Sequence, residues 1–342
     1  MDSAKNIGFG IVGTGMVAEF HHTAILANQA HGARLVAMCS RDPKKSTAEK
    51  FDAPCLNWDD FVNHPKIDVV CVCTPSGLHA DQAVEAAQAG KHALVEKPLA
   101  LSMADADRMI EAFDRAGRLL AVALQRRAEP LFQQIGQAIH GGDLGRLTLG
   151  LATMPYWRGQ AYFDSDQWRG TWALDGGGVL MNQGIHILDL LVWYMGDPVH
   201  VKSFAATLQR DIEVEDTVAA ALRFASGSMA TVTATTTASP GFPHRLEIYG
   251  TQGGIQVQGE SVIQWSLNDP ASATVAPPQV GETRGAGAGA DPRAIAATGH
   301  INLIRNMMDT IRGETSLLVD GREGRRSLDI VLKIYRAAGL VR

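Results

Sequence analysis

The sequence predicts an α/β chain of two domains: an N-terminal doubly wound parallel sheet and a C-terminal α+β domain with a large, mostly antiparallel open sheet. Apolar strand-like runs alternate with helical patterns over residues 1–124, which is typical of a parallel sheet covered on both faces. Strand-like runs then follow one another over residues 199–266, where Ala225-Ser226-Gly227 has the composition of a tight hairpin turn. Because 342 residues suffice for two hydrophobic cores, we predict domains at 1–124 and 125–342.

The composition is that of an ordinary globular protein, with 46% hydrophobic and 20% charged residues. A net charge of −5 argues against a nucleic-acid surface or a basic membrane patch. No apolar run reaches the roughly 20 residues of a membrane-spanning helix, and the start of the chain runs directly into the first strand, so we expect a cytoplasmic protein without a signal peptide. Because no further ligands lie at metal-binding spacing, we expect buried reduced thiols and no metal site at Cys39, Cys55, Cys71 and Cys73.

A glycine-rich turn joins the first predicted strand, residues 7–12, to a helix. In Gly13-x-Gly15-x-x-Ala18, the first glycine permits a tight bend, the second lets a pyrophosphate approach the backbone, and the small third residue lets the helix pack on the strand. The N–H groups and dipole at the helix start attract an anion. A strand–turn–helix without a ligand is the alternative. We predict a Rossmann dinucleotide site formed by Gly13, Thr14, Gly15, Met16 and Val17.

The tip of the second predicted strand bears on the choice of cofactor. An acidic residue there binds the ribose hydroxyls of NAD, whereas an arginine accommodates the 2′-phosphate of NADP. The tip is Ser40-Arg41-Asp42, and Ser40 and Arg41 favour NADP by hydrogen bonding and charge. In the alternative, Arg41 is solvated and Asp42 binds the ribose of NAD.

Polar residues also follow two later strands of the predicted parallel sheet. Thr74-Pro75 and His79 lie in the loop after one strand, and Glu96-Lys97-Pro98 follows the next. Ligands of open parallel sheets bind outside these strand ends, and a residue before proline is held extended. We therefore expect Lys97 to point into the ligand crevice. His79 is either a cofactor contact or a surface or capping histidine.

Two polar groups lie in the second predicted domain or at its start. Gln125-Arg126-Arg127 ends the last parallel strand, where the guanidinium groups could meet a phosphate or a substrate carboxylate, or bridge the domains. Farther on, Asn182, His186 and Asp189 fall on one face of an apolar helix. Because buried polar groups need partners, this face is either a satisfied core stripe or a catalytic one. With Lys97 already predicted in the crevice, we favour the catalytic interpretation.

Taken in order, Gly13-x-Gly15-x-x-Ala18, Thr74-Pro75-x-x-x-His79 and Glu96-Lys97-Pro98 resemble the Gfo/Idh/MocA oxidoreductases, which include glucose–fructose oxidoreductase and inositol dehydrogenase. The resemblance covers the whole chain. It implies an NAD(P)-dependent dehydrogenase that oxidises a secondary hydroxyl of a sugar, sugar acid, nucleotide sugar or cyclic polyol. It also implies that Lys97 is catalytic, with a Lys–Pro bond that is commonly cis in these enzymes. The cofactor candidates on these grounds are Thr74, Pro75, His79, Glu96, Lys97, Gln125, Trp168 and Arg169.

The second-domain helix departs from the family pattern. Many members carry Asp-x-x-x-His, whereas this chain has Asn182-x-x-x-His186. An asparagine cannot accept a proton but can orient a substrate hydroxyl. We therefore expect His186, with an unperturbed pKa of about 6.5, to accept the hydroxyl proton. Lys97 as the base, with His186 in a positioning role, is the alternative.

Later segments resemble the branch of UDP-N-acetylglucosaminuronate dehydrogenases, which oxidise the C3 hydroxyl of the sugar. These segments are Trp168-Arg169-Gly170-Thr171-Trp172, Met181-Asn182-Gln183 and Ile212–Thr217. The resemblance implies a uronate-like or nucleotide-sugar substrate and a branch that generally uses NAD. The substrate candidates are Lys97, Arg126, Arg158, Tyr162, Asn182 and His186. Two alternative functions stay open: redox-neutral, NAD-dependent hydrolysis or elimination through a transient keto sugar, and a non-catalytic dinucleotide-binding sensor.

The end of the chain suggests an assembly surface and a flexible segment. Threonines alternate along one predicted strand, and family members commonly form dimers or tetramers through this sheet, so we expect a homodimer or homotetramer. A solvated sheet face is the alternative. Residues 268–297 are of low complexity and are predicted to be a flexible excursion.

Overall fold

A computed structural model describes residues 6–42, 44–278, 281, 289–291 and 296–341 of the chain. The chain divides into two compact units. The first comprises Met1–Ala128 and Ala296–Arg326, and the second comprises Glu129–Ile295 and Ser327–Arg342. Most of the segment from 279 to 295, which belongs to the predicted flexible excursion, lies outside the described residues.

The first unit contains a six-stranded parallel sheet in the order β3-β2-β1-β4-β5-β6. Its strands are β1 Ile7–Val12, β2 Ala33–Cys39, β3 Cys55–Leu56, β4 Val69–Val72, β5 His92–Val95 and β6 Leu120–Val122. Its helices are α1 Met16–Ala27, α2 Lys45–Phe51, α3 Trp58–Val62, α4 His79–Gln88, α5 Met103–Ala116 and α9 Thr298–Ile311. The strand order reverses between β1 and β4, and a doubly wound sheet binds its ligand outside the strand ends at such a point. The predicted Rossmann sheet is confirmed.

Helix α9 belongs to the first unit although it lies near the end of the chain. Leu303, Ile304, Met307 and Met308 are buried in the same core as Phe9 of β1. At the end of α1, buried Asn28 donates from Nδ2 to the Ala24 carbonyl at 2.9 Å and to the Ile301 carbonyl at 3.0 Å. The predicted domain of residues 125–342 includes this helix, because an amphipathic pattern shows that a helix has an apolar face but not which core that face fills.

The second unit contains a seven-stranded sheet in the order β13-β12-β11-β7-β10-β9-β8, in which β7 and β10 form the one parallel pair among the described strands. Its strands are β7 Leu147–Pro155, β8 Pro198–Ala206, β9 Thr217–Phe224, β10 Met229–Thr235, β11 Arg245–Gly250, β12 Gly253–Gln258 and β13 Ser261–Leu267. Its helices are α6 Pro130–His140, α7 Gln160–Asp164 and α8 Ile185–Met195, while α10 Gly321–Ala337 begins in the first unit and continues in the second. The predicted open, mostly antiparallel sheet is confirmed, including the β9–β10 hairpin.

The sheet of the second unit has one buried and one open face. Along β9, Val218, Ala220, Leu222 and Phe224 are buried, and the three residues between them are exposed. This alternation follows from the two-residue period of a strand. None of the described helices is long and apolar enough to cross a membrane.

Candidate active site

The glycine turn of the first unit fits a dinucleotide. Gly13 has φ of +98°, and a Cβ there would lie 2.4 Å from the Cys73 carbonyl oxygen, so only glycine fits without rearrangement. A Cβ at Gly15, which begins α1, would meet no described atom within 4 Å. Ala18 is fully buried against the sheet. The turn is therefore tight on the side of β4 and open beside Gly15, which leaves room for the pyrophosphate of a dinucleotide.

At the tip of β2, the Ser40 side chain bonds to the backbone of Asp42. The Ser40 hydroxyl accepts from the Asp42 N–H at 3.3 Å and lies 3.2 Å from the Asp42 carbonyl oxygen. The Asp42 carboxylate pairs with the Lys44 ammonium at 3.3 Å, and both side chains are exposed. Arg41 is also exposed. The tip thus presents a guanidinium and a carboxylate side by side.

His79, which begins α4, is buried and bridges two loops. Its Nδ1 lies 2.9 Å from the Pro98 carbonyl oxygen, and its Nε2 lies 3.0 Å from the Thr74 carbonyl oxygen. Burial lowers the pKa of the His79 imidazole. The ring therefore ties the Thr74-Pro75 loop to the Glu96-Lys97-Pro98 loop, and its contacts with the chain are structural.

The Glu96-Lys97-Pro98 loop follows β5. The Lys97–Pro98 peptide bond is cis, as the resemblance implied. Lys97 is half-buried, and its backbone N–H lies 3.3 Å from Oε2 of Glu96. The Glu96 carboxylate is buried and contacts His21 and His300, two residues that the sequence analysis did not single out. No local signal marks them, because His300 is distant in sequence and both lie within ordinary helical patterns.

The segment after β6 is buried throughout. Gln125, Arg126 and Arg127 form a short 3₁₀ turn, and Arg127 pairs with Glu323. A Cβ on Gly299 of α9 would lie 2.6 Å from the Gln125 carbonyl oxygen, so α9 packs closely on this turn. Tight packing here places the side chains of Gln125 and Arg126 inside the protein.

In the second unit, Asn182 lies in a π-helical turn, Leu180–Gly184, that directly precedes α8. The Asn182 amide donates to Asp175 at 2.8 Å, and the other Asp175 oxygen accepts from the Gly170 N–H at 3.0 Å. The predicted helical face through Asn182, His186 and Asp189 requires a regular α-helix. The wider π turn changes that spacing, and single π turns are frequent at functional sites.

Hydrogen bonds with residues distant in sequence hold both Asp189 and the start of the turn that carries Asn182. Asp189 is buried and accepts a hydrogen bond from Ser327, which gives it a structural contact. The buried Glu215 carboxylate accepts from the backbone N–H groups of Gly178 at 2.8 Å and Leu180 at 3.0 Å. It also accepts from the Tyr335 hydroxyl at 2.7 Å. Burial raises the pKa of Glu215 to about 7, although these hydrogen bonds act in the opposite direction.

A cationic and aromatic cluster lies near the same turn. Arg169 donates from Nη1 to the Tyr162 hydroxyl at 2.6 Å, and its guanidinium carbon lies 4.4 Å from the Tyr162 ring centroid. The Trp168 ring centroid is 4.6 Å from the same carbon. The guanidinium of buried Arg158 lies 5.8 Å from the Tyr162 ring, and Gln183 Nε2 lies 3.4 Å from the Tyr162 hydroxyl. Two guanidinium groups around one phenol, beside the Asn182 turn, suit a carboxylate or phosphate.

The features of the two units together identify the class of protein. A doubly wound parallel sheet with a dinucleotide turn, followed by an open-sheet unit with a cationic cluster and a polar helix start, is the organisation of a nicotinamide-dependent oxidoreductase with a separate substrate domain. The chain belongs to the Gfo/Idh/MocA family. Residues 7–124 match the model described as "Oxidoreductase family, NAD-binding Rossmann fold", and residues 132–256 match the "GFO/IDH/MocA C-terminal domain".

Several relatives agree with this membership. The WlbA dehydrogenase from Bordetella pertussis, solved in complex with NADH and UDP-GlcNAcA, is 33% identical, with a TM-score of 0.85 over 98% of this chain and 97% of that chain. The D-apiose dehydrogenase of Paraburkholderia graminis is 27% identical over 98% of this chain and 88% of the relative. The scyllo-inositol 2-dehydrogenase (NAD(+)) of Bacillus subtilis is 27% identical over 72% of each chain. The predicted family and dehydrogenase class are confirmed.

Proposed function

We propose that this protein is a dehydrogenase that uses NAD to oxidise a secondary ring hydroxyl of a nucleotide sugar carrying a uronate carboxylate. The observation that carries this proposal is the placement of Arg158 and Arg169 around Tyr162. Paired guanidinium groups recognise a planar anion with both charge and geometry. The similarity to a dehydrogenase solved with UDP-GlcNAcA supports the same substrate class.

We assign NAD rather than NADP as the cofactor. The expectation of NADP rested on Ser40 and Arg41, but it is not supported by the relatives, because the matched domain is described as NAD-binding and the WlbA structure contains NADH. The carboxylate of Asp42 lies beside Arg41 in sequence and offers the ribose an acceptor. Measuring turnover with NAD and NADP separately tests this assignment.

In the proposed mechanism, the nicotinamide supplies the hydride acceptor when NAD is bound. His186 accepts the proton of the reacting hydroxyl, and Lys97 hydrogen-bonds the same oxygen and stabilises its developing negative charge. Asp175 holds the Asn182 amide, so Asn182 orients a neighbouring hydroxyl. Arg158 and Arg169 bind the carboxylate of the sugar. Lys97 as the base is the alternative, and pH–rate profiles of Lys97→Ala and His186→Asn distinguish the two.

We also propose that a second copy of the chain covers the open face of the C-terminal sheet. Phe204 of β8 is 85% exposed, and Met229 of β10 and Leu149 of β7 are also exposed. In the strand register, Phe204 lies opposite Ala219, and Met229 lies opposite Arg223 and beside Leu149. These side chains therefore share one face of the sheet with the threonines of β10. Exposed apolar patches of this kind mark protein interfaces.

The proposed reaction is tested by following reduced-nicotinamide absorbance with UDP-N-acetylglucosaminuronate. UDP-N-acetylglucosamine, which lacks the carboxylate, is the matched control substrate, and myo-inositol represents the polyols. We expect reduction of NAD with the uronate alone, and loss of this preference in Arg158→Lys and Arg169→Lys. Equal rates with and without the carboxylate would contradict the assignment. Conversion of a substrate without net NAD reduction would favour the redox-neutral alternative, and binding without conversion would favour the sensor.

A further inference from the structure

Two buried histidines of the first unit, His21 and His300, share the carboxylate of buried Glu96. His21 Nε2 lies 2.8 Å from Oε1 of Glu96, and His300 Nε2 lies 3.5 Å from the same oxygen. All three side chains are nearly inaccessible to solvent. The His21 and His300 rings meet edge to face at 5.3 Å, and Phe20 stacks on His300 at 5.4 Å. We call this set the histidine–glutamate cluster.

The cluster carries one buried ion pair. Burial opposes ionisation of Glu96, but the hydrogen bonds and charges of His21 and His300 hold its pKa well below the usual value. Burial also opposes protonation of His21, yet Cys73, Cys71 and Glu96 raise the pKa of its imidazole well above the usual value. Burial lowers the pKa of His300, which leaves it neutral. These directions favour a pair formed by the Glu96 carboxylate and the His21 imidazole.

A proton, rather than a metal ion, fits the centre of this cluster. The three groups are the one described set of histidine, cysteine and acidic residues with metal-ligand spacing, with ligand atoms within 4.8 Å of one another. Two ligands of a tetrahedral zinc lie about 3.3 Å apart, whereas His21 and Glu96 are 2.8 Å apart, a hydrogen-bond distance.

The cluster connects the predicted cofactor helix to the loop of Lys97. His21 lies on α1, the helix that begins at Gly15 of the dinucleotide turn. Glu96 directly precedes Lys97, and its second oxygen lies 3.3 Å from the Lys97 N–H. On the other side of Lys97, His79 contacts the Pro98 carbonyl oxygen at 2.9 Å. The Lys97 charge acts on both His79 and His300. The main chain of Lys97 is thus held on both sides by buried groups.

We propose that the histidine–glutamate cluster is a positioning device, in which His21 and His300 hold Glu96 so that Lys97 is fixed relative to the cofactor helix. This inference rests on the proposed function, in which Lys97 hydrogen-bonds the reacting oxygen. Glu96 is accordingly a positioning residue and not a cofactor ligand. A small displacement of a catalytic group lowers the rate of the chemical step far more than it lowers binding.

The test replaces cluster members with side chains of similar shape. Glu96→Gln removes the carboxylate charge, and His300→Gln is a milder change that loosens the longer contact. Asn28→Ala is the matched control, because Asn28 is buried and also joins α1 to α9, through its hydrogen bonds to the Ala24 and Ile301 carbonyls. All variants are compared by melting temperature, NADH binding from protein fluorescence, kcat and KM.

Glu96→Gln is expected to lower kcat by about 100-fold and His300→Gln by less, with NADH affinity and KM retained. Asn28→Ala is expected to lower the melting temperature without changing kcat. Unchanged kcat in Glu96→Gln and His300→Gln would overturn the proposal, and so would losses of kcat that merely follow melting temperature as in Asn28→Ala. Stoichiometric zinc in the purified protein would overturn it as well.

A substrate-independent measurement separates this inference from the proposed function. Competitive acetylation with acetic anhydride, read by peptide mass spectrometry, gives the pH midpoint of Lys97 reactivity. Because Glu96→Gln loosens the loop that carries Lys97, this midpoint is expected to shift from that of the native protein; an unchanged midpoint would contradict the inference. If Lys97→Ala keeps full turnover, the proposed catalytic role fails; if Lys97→Ala is inactive while Glu96→Gln is unimpaired, only the positioning proposal fails.

Discussion

The buried carboxylate of Glu215 makes the stability of the second unit depend on pH. Its folded-state pKa is raised by burial from 4.5 to about 7. A raised pKa means that the folded protein binds a proton more tightly than the unfolded chain does. The stabilisation is therefore fully present below pH 4.5 and is lost as the pH rises through about 7. The difference corresponds to about 3 kcal/mol of unfolding free energy.

Glu215→Gln isolates this contribution because glutamine does not titrate. Urea unfolding is followed by tryptophan fluorescence, which reports mainly on the second unit, where five of the six tryptophans lie. We expect the stability of the native protein relative to Glu215→Gln to fall by about 3 kcal/mol between pH 4.5 and pH 8. Other titrating groups cancel in this difference, since both proteins carry them.

The neighbouring Glu213 provides the control. Its carboxylate is exposed and accepts from the Trp172 backbone N–H at 3.0 Å, so Glu213→Gln is the matched substitution outside the buried site. A constant stability difference between native protein and Glu215→Gln across this pH range would refute the reasoning. It would mean that the three hydrogen bonds to Glu215 outweigh its burial and keep the carboxylate ionised throughout.

Three further substitutions test the dinucleotide turn, the asparagine and the open sheet face. Gly13→Ala should destabilise the first unit and abolish NADH binding, because φ is +98° and the added Cβ would lie 2.4 Å from the Cys73 carbonyl oxygen; retained binding in a fluorescence titration would contradict this. Asn182→Asp would place a second carboxylate beside Asp175, where Asn182 now donates at 2.8 Å, so like charges should raise the pKa of one of them and shift the activity optimum to lower pH. An unchanged pH–rate profile would show that the two groups separate. Phe204→Glu should dissociate the proposed oligomer to monomers in light scattering, with the exposed Lys202→Glu as control on the same strand; an unaffected mass would exclude this face as the interface.

The sequence alone determined the parallel sheet, the open sheet and the loops that carry Gly13 and Lys97. These features depend on local rules: continuous apolar runs for buried strands, a two-residue alternation in the second sheet, glycine where the turn requires positive φ, and polar residues after strand ends. Such rules act over a few residues, and a single chain displays them directly. The ordered motifs were specific enough to indicate the family.

Only the tertiary structure decided which distant groups meet. His300 joins His21 and Glu96 because α9 packs in the first unit, and Tyr335 reaches Glu215 because α10 continues into the second. The periodicity of α9 and α10 predicts an apolar face on each helix, but not the element against which that face packs. The π turn at Asn182 arises in a helix that reads as regular in sequence, where Glu215 and Tyr335 bind its backbone N–H groups. Contacts between residues far apart in sequence follow from packing as a whole, and no local pattern encodes them.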